Sequence, residues 1–417
     1  MRVAFVINQF PPSISSGLGR YVELIHPHLT QVDPVDVFTL NVFTLNDGSQ
    51  PEVDERATGT VYRPRLPLLS RLVRRRPLNR TRRLDFLLLT LTVLASNWRY
   101  VRQLRRLPAD RRPDVVAVHD TTNFLCGLLS HYALKLPVVL HVHTTEYGVA
   151  AQRTITDPLH LYARLERWLA RVARRVIVPT PEVREQLLAA GWPDTIAVIP
   201  LGGTFENLDL SGPRPGADAL RRQLGVDEVL LFVGRLEHPK GVYPLLAAMP
   251  AIAAARPGLS LVLVGAGDID GVLRLAADSG LSGRVHTSGG FVELQSLLDY
   301  YAIADVCVFP SWYEPFGLVA TESMALGKPT ILGTGFSRVF AGAPDDPAVR
   351  YVDPGDPADI ARVVIEVMTS PEEREALGRR GARHVREHLS WARTAADTLA
   401  EYRQVHARPE APRAARH

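Results

Sequence analysis

A chain of 417 residues, 46% hydrophobic and 22% charged, is long enough for two globular domains and too apolar for a disordered chain. Its formal charge of +4 is small for this length and gives no argument for a nucleic-acid partner. Its two cysteines, Cys126 and Cys307, stand in the apolar runs NFLCGLL and ADVCVFP, away from any zinc-type Cys/His spacing.

The N-terminal run MRVAFVINQFPP stops being apolar at Pro11, too early for a secretory leader, and suits a first strand at 3–7. The longest apolar run, near FLLLTLTVLA, is about half the length that spans a bilayer, so a cytoplasmic setting is expected. Short β-branched runs follow at 35–40, 114–119, 137–143, 175–180 and 195–200, with helical stretches at 20–30, 84–107 and 158–174. The stretch SGPRPG reads as a linker, set at 211–218 between an N-terminal domain over 1–210 and a C-terminal domain over 219–389. Strand runs resume at 228–234, 259–265, 284–289, 304–310 and 328–333. Continuous apolar strands alternating with helices predict parallel sheets covered on both faces, hence two doubly wound α/β domains. Ligands in such folds bind at the carboxyl ends of strands, here expected in the cleft between the two sheets.

Four loops at expected strand ends carry the candidate chemistry. In PSWYEPFGLVATESMALGKP (310–329) a strand gives way to a turn and then a helix closed by Gly327. The free amides at that helix start, with Gly317 allowing close backbone approach, form an anion site. Glu314 and Glu322 flank it, and ionised carboxylates only accept hydrogen bonds, which suits vicinal hydroxyls. Phosphate amides beside hydroxyl-binding carboxylates fit a sugar linked to a nucleotide diphosphate; the bland alternative is a capped helix with a solvated glutamate. In FVGRLEHPKGV (232–242), Arg235 and Lys240 put two cations on one strand-end loop, matching the two charges of a diphosphate. Lysines number only three, Lys135, Lys240 and Lys328, which makes this position informative, although solvated loop charges would read the same way. Gly17 sits in a strand–loop–helix stretch (7–25) with the same anion-binding logic, and His143 ends an expected strand; turn glycines and structural histidines are the plain readings of both. Gly265, Gly267 and Gly271 are spaced like a dinucleotide fingerprint, but they follow the second strand of their domain and no acidic residue closes the next one.

Together these residues resemble the GT-B glycosyltransferases of family 4, the retaining group 1 glycosyltransferases. GRLEHPKG is similar to the family's Gly-Arg-Leu…Lys-Gly, and EPFGLVATE to its Glu-x7-Glu signature. The resemblance runs from residue 1 to about 408 and is strongest over 228–333. It implies an α/β GT-B fold, with two Rossmann-like domains facing across a cleft and a last helix (390–408) returning to the N-terminal domain. It implies that Glu314 and the amides of Phe316, Gly317 and Leu318 meet the donor sugar and phosphates, and that Glu322 holds the ribose. Arg235 and Lys240 would bind the diphosphate, Gly17 would lend an amide, and His143 would sit near the sugar. The implied activity is metal-independent, retaining transfer of a hexose from a UDP- or GDP-sugar, which serves as co-substrate with no other cofactor. The departing phosphate would take the acceptor proton. A pyridoxal phosphorylase would need a dedicated lysine, and a non-catalytic nucleotide-sugar binder would share the same site.

The acceptor is expected to be a small polar molecule or natural product. The alternative is a lipid-linked acceptor, with peripheral membrane contact through 63–106. The run 63–83 holds nine arginines and no acid, and the following stretch has Leu84, Leu87, Leu88, Leu91, Leu94, Trp98, Val101 and Leu104 at helical spacing. Such a stripe is also what ordinary domain packing requires, which is the reading taken here.

Overall fold

The structure, a computed structural model, describes residues 1–12, 14, 17–39, 50–64, 83–145, 161–206, 212 and 214–407. The chain divides into two compact units: Met1–Pro200 with Trp391–His417, and Leu201–Ser390.

In unit 1, β1 (Val3–Ile7), α1 (Gly17–Thr30), β2 (Val35–Thr39), β3 (Val53–Arg56), β4 (Gly59–Tyr62), α2 (Arg83–Arg106), β5 (Val115–His119), α3 (Phe124–Tyr132), β6 (Val138–His141), α4 (Leu161–Val172), β7 (Arg175–Val178), α5 (Pro181–Ala189) and β8 (Ile196–Val198) follow one another. The strand order is β3-β4-β2-β1-β5-β6-β7-β8, parallel except for the β3–β4 hairpin at one edge. Strand β1 lies at the centre with all five residues buried, as its unbroken VAFVI run requires. The hairpin has no apolar run to announce it: β3 reads VDER and is mostly exposed.

Unit 2 runs through α6 (Pro215–Leu224), β9 (Glu228–Val233), α7 (Val242–Ala255), β10 (Leu259–Val264), α8 (Ile269–Asp278), β11 (Val285–Thr287), α9 (Leu294–Ile303), β12 (Val306–Phe309), α10 (Leu318–Ala325), β13 (Thr330–Gly333), the two-residue pair β14 (Gly342–Ala343) and β15 (Asp346–Pro347), β16 (Arg350–Val352), α11 (Pro357–Thr369) and α12 (Pro371–His388). Its main sheet has the order β11-β10-β9-β12-β13-β16, all parallel.

Two expectations are corrected. The linker at 211–218 is not one: α6 starts inside it, at Pro215, and ends at Gly225 in the left-handed conformation. Proline at the first helical position loses no needed N–H, so the Pro/Gly signal marked a helix start. The division of the chain falls at Pro200, not 210, because the next residues pack into unit 2. Gly203 N donates to Leu389 O at 3.0 Å, and Phe205 lies edge-on to Tyr301, with centroids 6.1 Å apart.

The second correction concerns α2. Val101 and Leu104 are buried against the sheet, but Leu87, Leu91 and Trp98 are 52%, 45% and 60% exposed. The apolar positions of this helix supply two faces, only one of which is core. The arginine-rich run 65–82 lies outside the described residues.

The last helix, α13 (Trp391–Ala407), belongs to unit 1. It is fixed there by Arg175–Glu401 (Nη2···Oε1 2.9 Å) and by Tyr402, whose hydroxyl is 2.7 Å from Nε2 of His141.

Candidate active site

In unit 2 the chain winds outward from β9 to β10 and β11, then returns to β12 on the other side of β9. The strand order therefore reverses between β9 and β12, and the crevice beyond their carboxyl ends is the switch point of the sheet. The loop after β9 carries Arg235 and Lys240, and the loop after β12 carries Glu314. Gly241 binds the two loops together. It has φ +75°, and a Cβ there would lie 1.8 Å from the carbonyl oxygen of Pro310. Trp312 N donates to Pro239 O at 3.0 Å across the same contact. The result is an ion pair between Lys240 Nζ and Glu314 Oε2, with side-chain exposures of only 23% and 13%.

Gly317 precedes α10 with φ +92°, and a Cβ would meet Phe336 Cε1 at 2.3 Å and Glu314 Cγ at 2.6 Å. Glycine is thus required by both backbone and space, and no side chain caps the helix. Ala320 N already donates to Gly317 O at 3.0 Å, and the amides of Leu318 and Val319, with no acceptor among the described residues, are available to an anion. Phe316 is buried, with its ring 5.2 Å from Phe340, and fixes the turn from below. Glu322, one turn into α10, is only 8% exposed and accepts a hydrogen bond of 2.9 Å from the fully buried Tyr301. Arg235 differs: its side chain is 61% exposed and pairs with Glu237 at 2.9 Å.

In unit 1 the order reverses between β1 and β5, and the loops after these strands and β6 gather a second group. Gly17 starts α1. A Cβ on it would meet nothing among the described residues within 4 Å, whereas one on Gly19 would lie 2.6 Å from Gln9 Oε1 and 2.7 Å from Ile14 Cβ. Gly19 is therefore the packing glycine, and Gly17 leaves the helix start open. Tyr21, one turn on, has its ring 4.4 Å from that of His143. Nε2 of His143 is 3.0 Å from Nδ1 of His119, and His119 stacks on His141 at 4.2 Å. The backbone N of His143 donates to Oδ1 of Asp120 at 3.2 Å. Asp120 itself has φ +59°, a left-handed conformation uncommon outside glycine.

Burial pushes the His143 pKa down to about 3, and burial with the neighbouring imidazoles holds His119 and His141 well below the usual histidine range. All three rings are neutral at physiological pH. Their ligating atoms lie within 4.8 Å of one another, but the geometry opposes a metal centre. The rings of His119 and His141 are stacked 21° from parallel, so their in-plane lone pairs cannot converge on one ion. The facing nitrogens of His119 and His143 are already joined by a hydrogen bond.

Residues 218–384 match the family of glycosyl transferases group 1, and residues 16–202 match a glycosyl transferase 4-like domain. The D-inositol 3-phosphate glycosyltransferase of Thermomonospora curvata is 33% identical over 314 residues, covering 69% of this chain and 71% of that protein. The chain belongs to the group 1 glycosyltransferases.

Two solved structures share the glycosyltransferase's GT-B fold. One is sucrose-phosphate synthase from Thermosynechococcus elongatus (TM-score 0.77, 24% identity, 97% of this chain and 99% of that one). The other is HepE of Anabaena in complex with UDP-glucose (TM-score 0.68, 19% identity, 96% and 100%). Of the residues singled out in this glycosyltransferase's sequence, Lys240, Glu314, Phe316, Gly317, Leu318 and Glu322 gather at the unit 2 switch point. Arg235 lies on the same loop as Lys240 but turns to Glu237. Gly17 and His143 gather in unit 1. Sequence reading missed His119, His141, Asp120, Tyr301 and Tyr402. His119 had a signal, since it closes an expected strand just as His143 does. Tyr402 had none, being 261 residues from His141.

Proposed function

We propose that the glycosyltransferase moves a hexosyl group from a UDP- or GDP-sugar to a small polar acceptor, with retention and without a metal ion. The observation that carries this reading is the Lys240–Glu314 pair beside the open start of α10, at the switch point of unit 2. When the donor enters, Lys240 turns to the diphosphate and Glu314 is released to accept from sugar hydroxyls. The anomeric C–O bond breaks with its electron pair left on the diphosphate, where Lys240, Arg235 and the α10 amides stabilise the growing charge. Those cations take the place a metal would have. Glu322, held by Tyr301, accepts from the ribose hydroxyls. Burial makes the His143, His119 and His141 imidazoles weak bases, which supports the departing phosphate as the base for the acceptor hydroxyl. HepE, solved with UDP-glucose, supports a UDP-sugar donor, and the D-inositol 3-phosphate glycosyltransferase supports a small polar acceptor.

Thermal unfolding with UDP-, GDP- and dTDP-sugars in the presence of a chelator tests this. The true donor, at 100 times its Kd, adds about 2.7 kcal/mol of stability. No stabilisation by any of them overturns the reading, and stabilisation only after divalent ions are restored overturns metal independence.

One observation favours a second reading, a lipid-linked acceptor at a membrane. Leu87, Leu91, Trp98, Arg102 and Arg105 are all exposed, and at about 100° per residue they fall within about 60° on α2. Helix α4 packs in the same core layer and exposes Arg164, Arg167, Trp168 and Arg171. Among their described side chains neither helix exposes a carboxylate. Each basic residue near an anionic surface is worth about 1 kcal/mol. No described helix is long and apolar enough to cross a membrane, so contact would be interfacial. The small-acceptor reading predicts that the protein stays in the supernatant when anionic vesicles are sedimented at physiological salt. Co-sedimentation that is lost in Trp98→Ser with Arg102→Gln would replace it with the lipid reading.

A further inference from the structure

His119 is an expensive residue where it stands. It is fully buried, its Nε2 has no hydrogen-bond partner among the described residues, and its ring is sandwiched between Phe5 at 3.9 Å and His141 at 4.2 Å. A phenyl ring would fill that space with no orphaned polar atom of its own, and its one polar consequence would be to unpair Nε2 of His143. Among the described residues, the one polar contact the imidazole makes through its ring nitrogens is Nδ1 to Nε2 of His143, at 3.0 Å. Whatever the residue contributes passes through that bond.

The direction of the bond follows from the orphaned atom. Were the His119 proton on Nε2, a buried N–H would have no acceptor. With the proton on Nδ1, only a lone pair goes unused. Orphaned buried N–H groups are the rarer case. His119 therefore donates from Nδ1, and His143 accepts at Nε2. A neutral His143 must then carry its own proton on Nδ1. That nitrogen has no partner among the described residues and is not sealed in the interior.

We propose that His119 is a positioning residue: it holds His143 in the Nδ1–H form, so that His143 meets the bound nucleotide sugar as a hydrogen-bond donor and not as a base. Asp120, by accepting from the His143 backbone N, and Tyr21, packed on the ring, hold its orientation. The proposal rests on the donor-binding reading above for its consequence, but not for the tautomer itself.

The test is long-range 1H–15N correlation on histidine-labelled full-length protein, with the His143 signals assigned by their loss in His143→Gln. The expected result is a protonated Nδ1 and a bare Nε2 on His143, between about pH 5 and 8. In His119→Phe the acceptor role of Nε2 is gone and the proton redistributes between the two nitrogens. In His119→Asn the side-chain amide restores a donor near the lost Nδ1, and the Nδ1–H form of His143 returns. With the UDP-, GDP- or dTDP-sugar that stabilises the protein most as probe and water as the glycosyl acceptor, release of the nucleoside diphosphate by His119→Phe should fall on the order of 10²-fold in kcat, the cost of one misdirected donor, with a smaller change in KM. His119→Asn should recover most of that loss. A proton on Nε2 of His143 in the wild type overturns the proposal, as does His119→Phe matching wild type in kcat. If the wild type neither binds nor turns over any of the UDP-, GDP- and dTDP-sugars, the donor reading fails, while the tautomer spectrum, which needs no substrate, still decides the assignment of His119.

Discussion

Lys240→Ala is expected to lower kcat/KM by on the order of 10²–10³, about 3–4 kcal/mol of transition-state stabilisation, with the fold intact. The lysine is not a drifting surface charge. Gly241, packed on the Pro310 carbonyl, fixes the end of its loop, and its ammonium group is paired with Glu314 beside the open start of α10. Removing it does two things at once: it deletes the cation assigned above to the leaving diphosphate, and it leaves the Glu314 carboxylate without its partner. Some stability should be lost too, because the Glu314 carboxylate left behind is only 13% exposed, and thermal unfolding of the variant measures that part separately. Arg235→Ala should act in the same direction and by less, since its guanidinium is 61% exposed and must leave Glu237 to reach a ligand. Steady-state kinetics with the stabilising donor decides it, and near-wild-type kcat/KM in both variants would remove the diphosphate assignment.

The parts of this molecule that could be read from its sequence are those whose signal is local. A buried parallel strand such as VAFVI is a continuous apolar run, and Gly317 and Gly327 punctuate α10 within a few residues of each other. Lys240 and Glu314 could each be singled out from their own loops. Their pairing could not, because 74 residues separate them and only the adjacency of β9 and β12 brings them together. The same holds for Tyr402 on His141 and for Tyr301 on Glu322. Local signals also misled. Pro215 reads as a linker residue in sequence but opens a helix, and the helical spacing of α2 predicts one packed face although Leu87, Leu91 and Trp98 are exposed. Periodicity shows which residues share a face, not what covers it. His119 was passed over for a related reason: a histidine at a strand end says little until its neighbours are known.

The two glutamates of the Glu-x7-Glu motif offer the most direct measurement of the central claim, that the switch point of unit 2 binds a nucleoside-diphosphate sugar. Glu314 lies in the turn before α10, paired with Lys240, whereas Glu322 is buried and braced by Tyr301. The first is assigned to the sugar and the second to the ribose. Glu322→Ala would also strand the Tyr301 hydroxyl, at a cost of about 1–3 kcal/mol in stability, so Glu322→Gln, which keeps an acceptor for Tyr301, is measured beside it. Isothermal calorimetry is run with the nucleotide sugar that stabilises the protein most, and with its free nucleoside diphosphate. The account predicts that Glu314→Ala binds the nucleoside diphosphate as the wild type does and loses roughly 1.5–3 kcal/mol only for the intact sugar nucleotide. Both Glu322 variants should lose affinity for the two ligands alike. Equal losses in the Glu314 and Glu322 variants, or no binding of either ligand to the wild type, would contradict it.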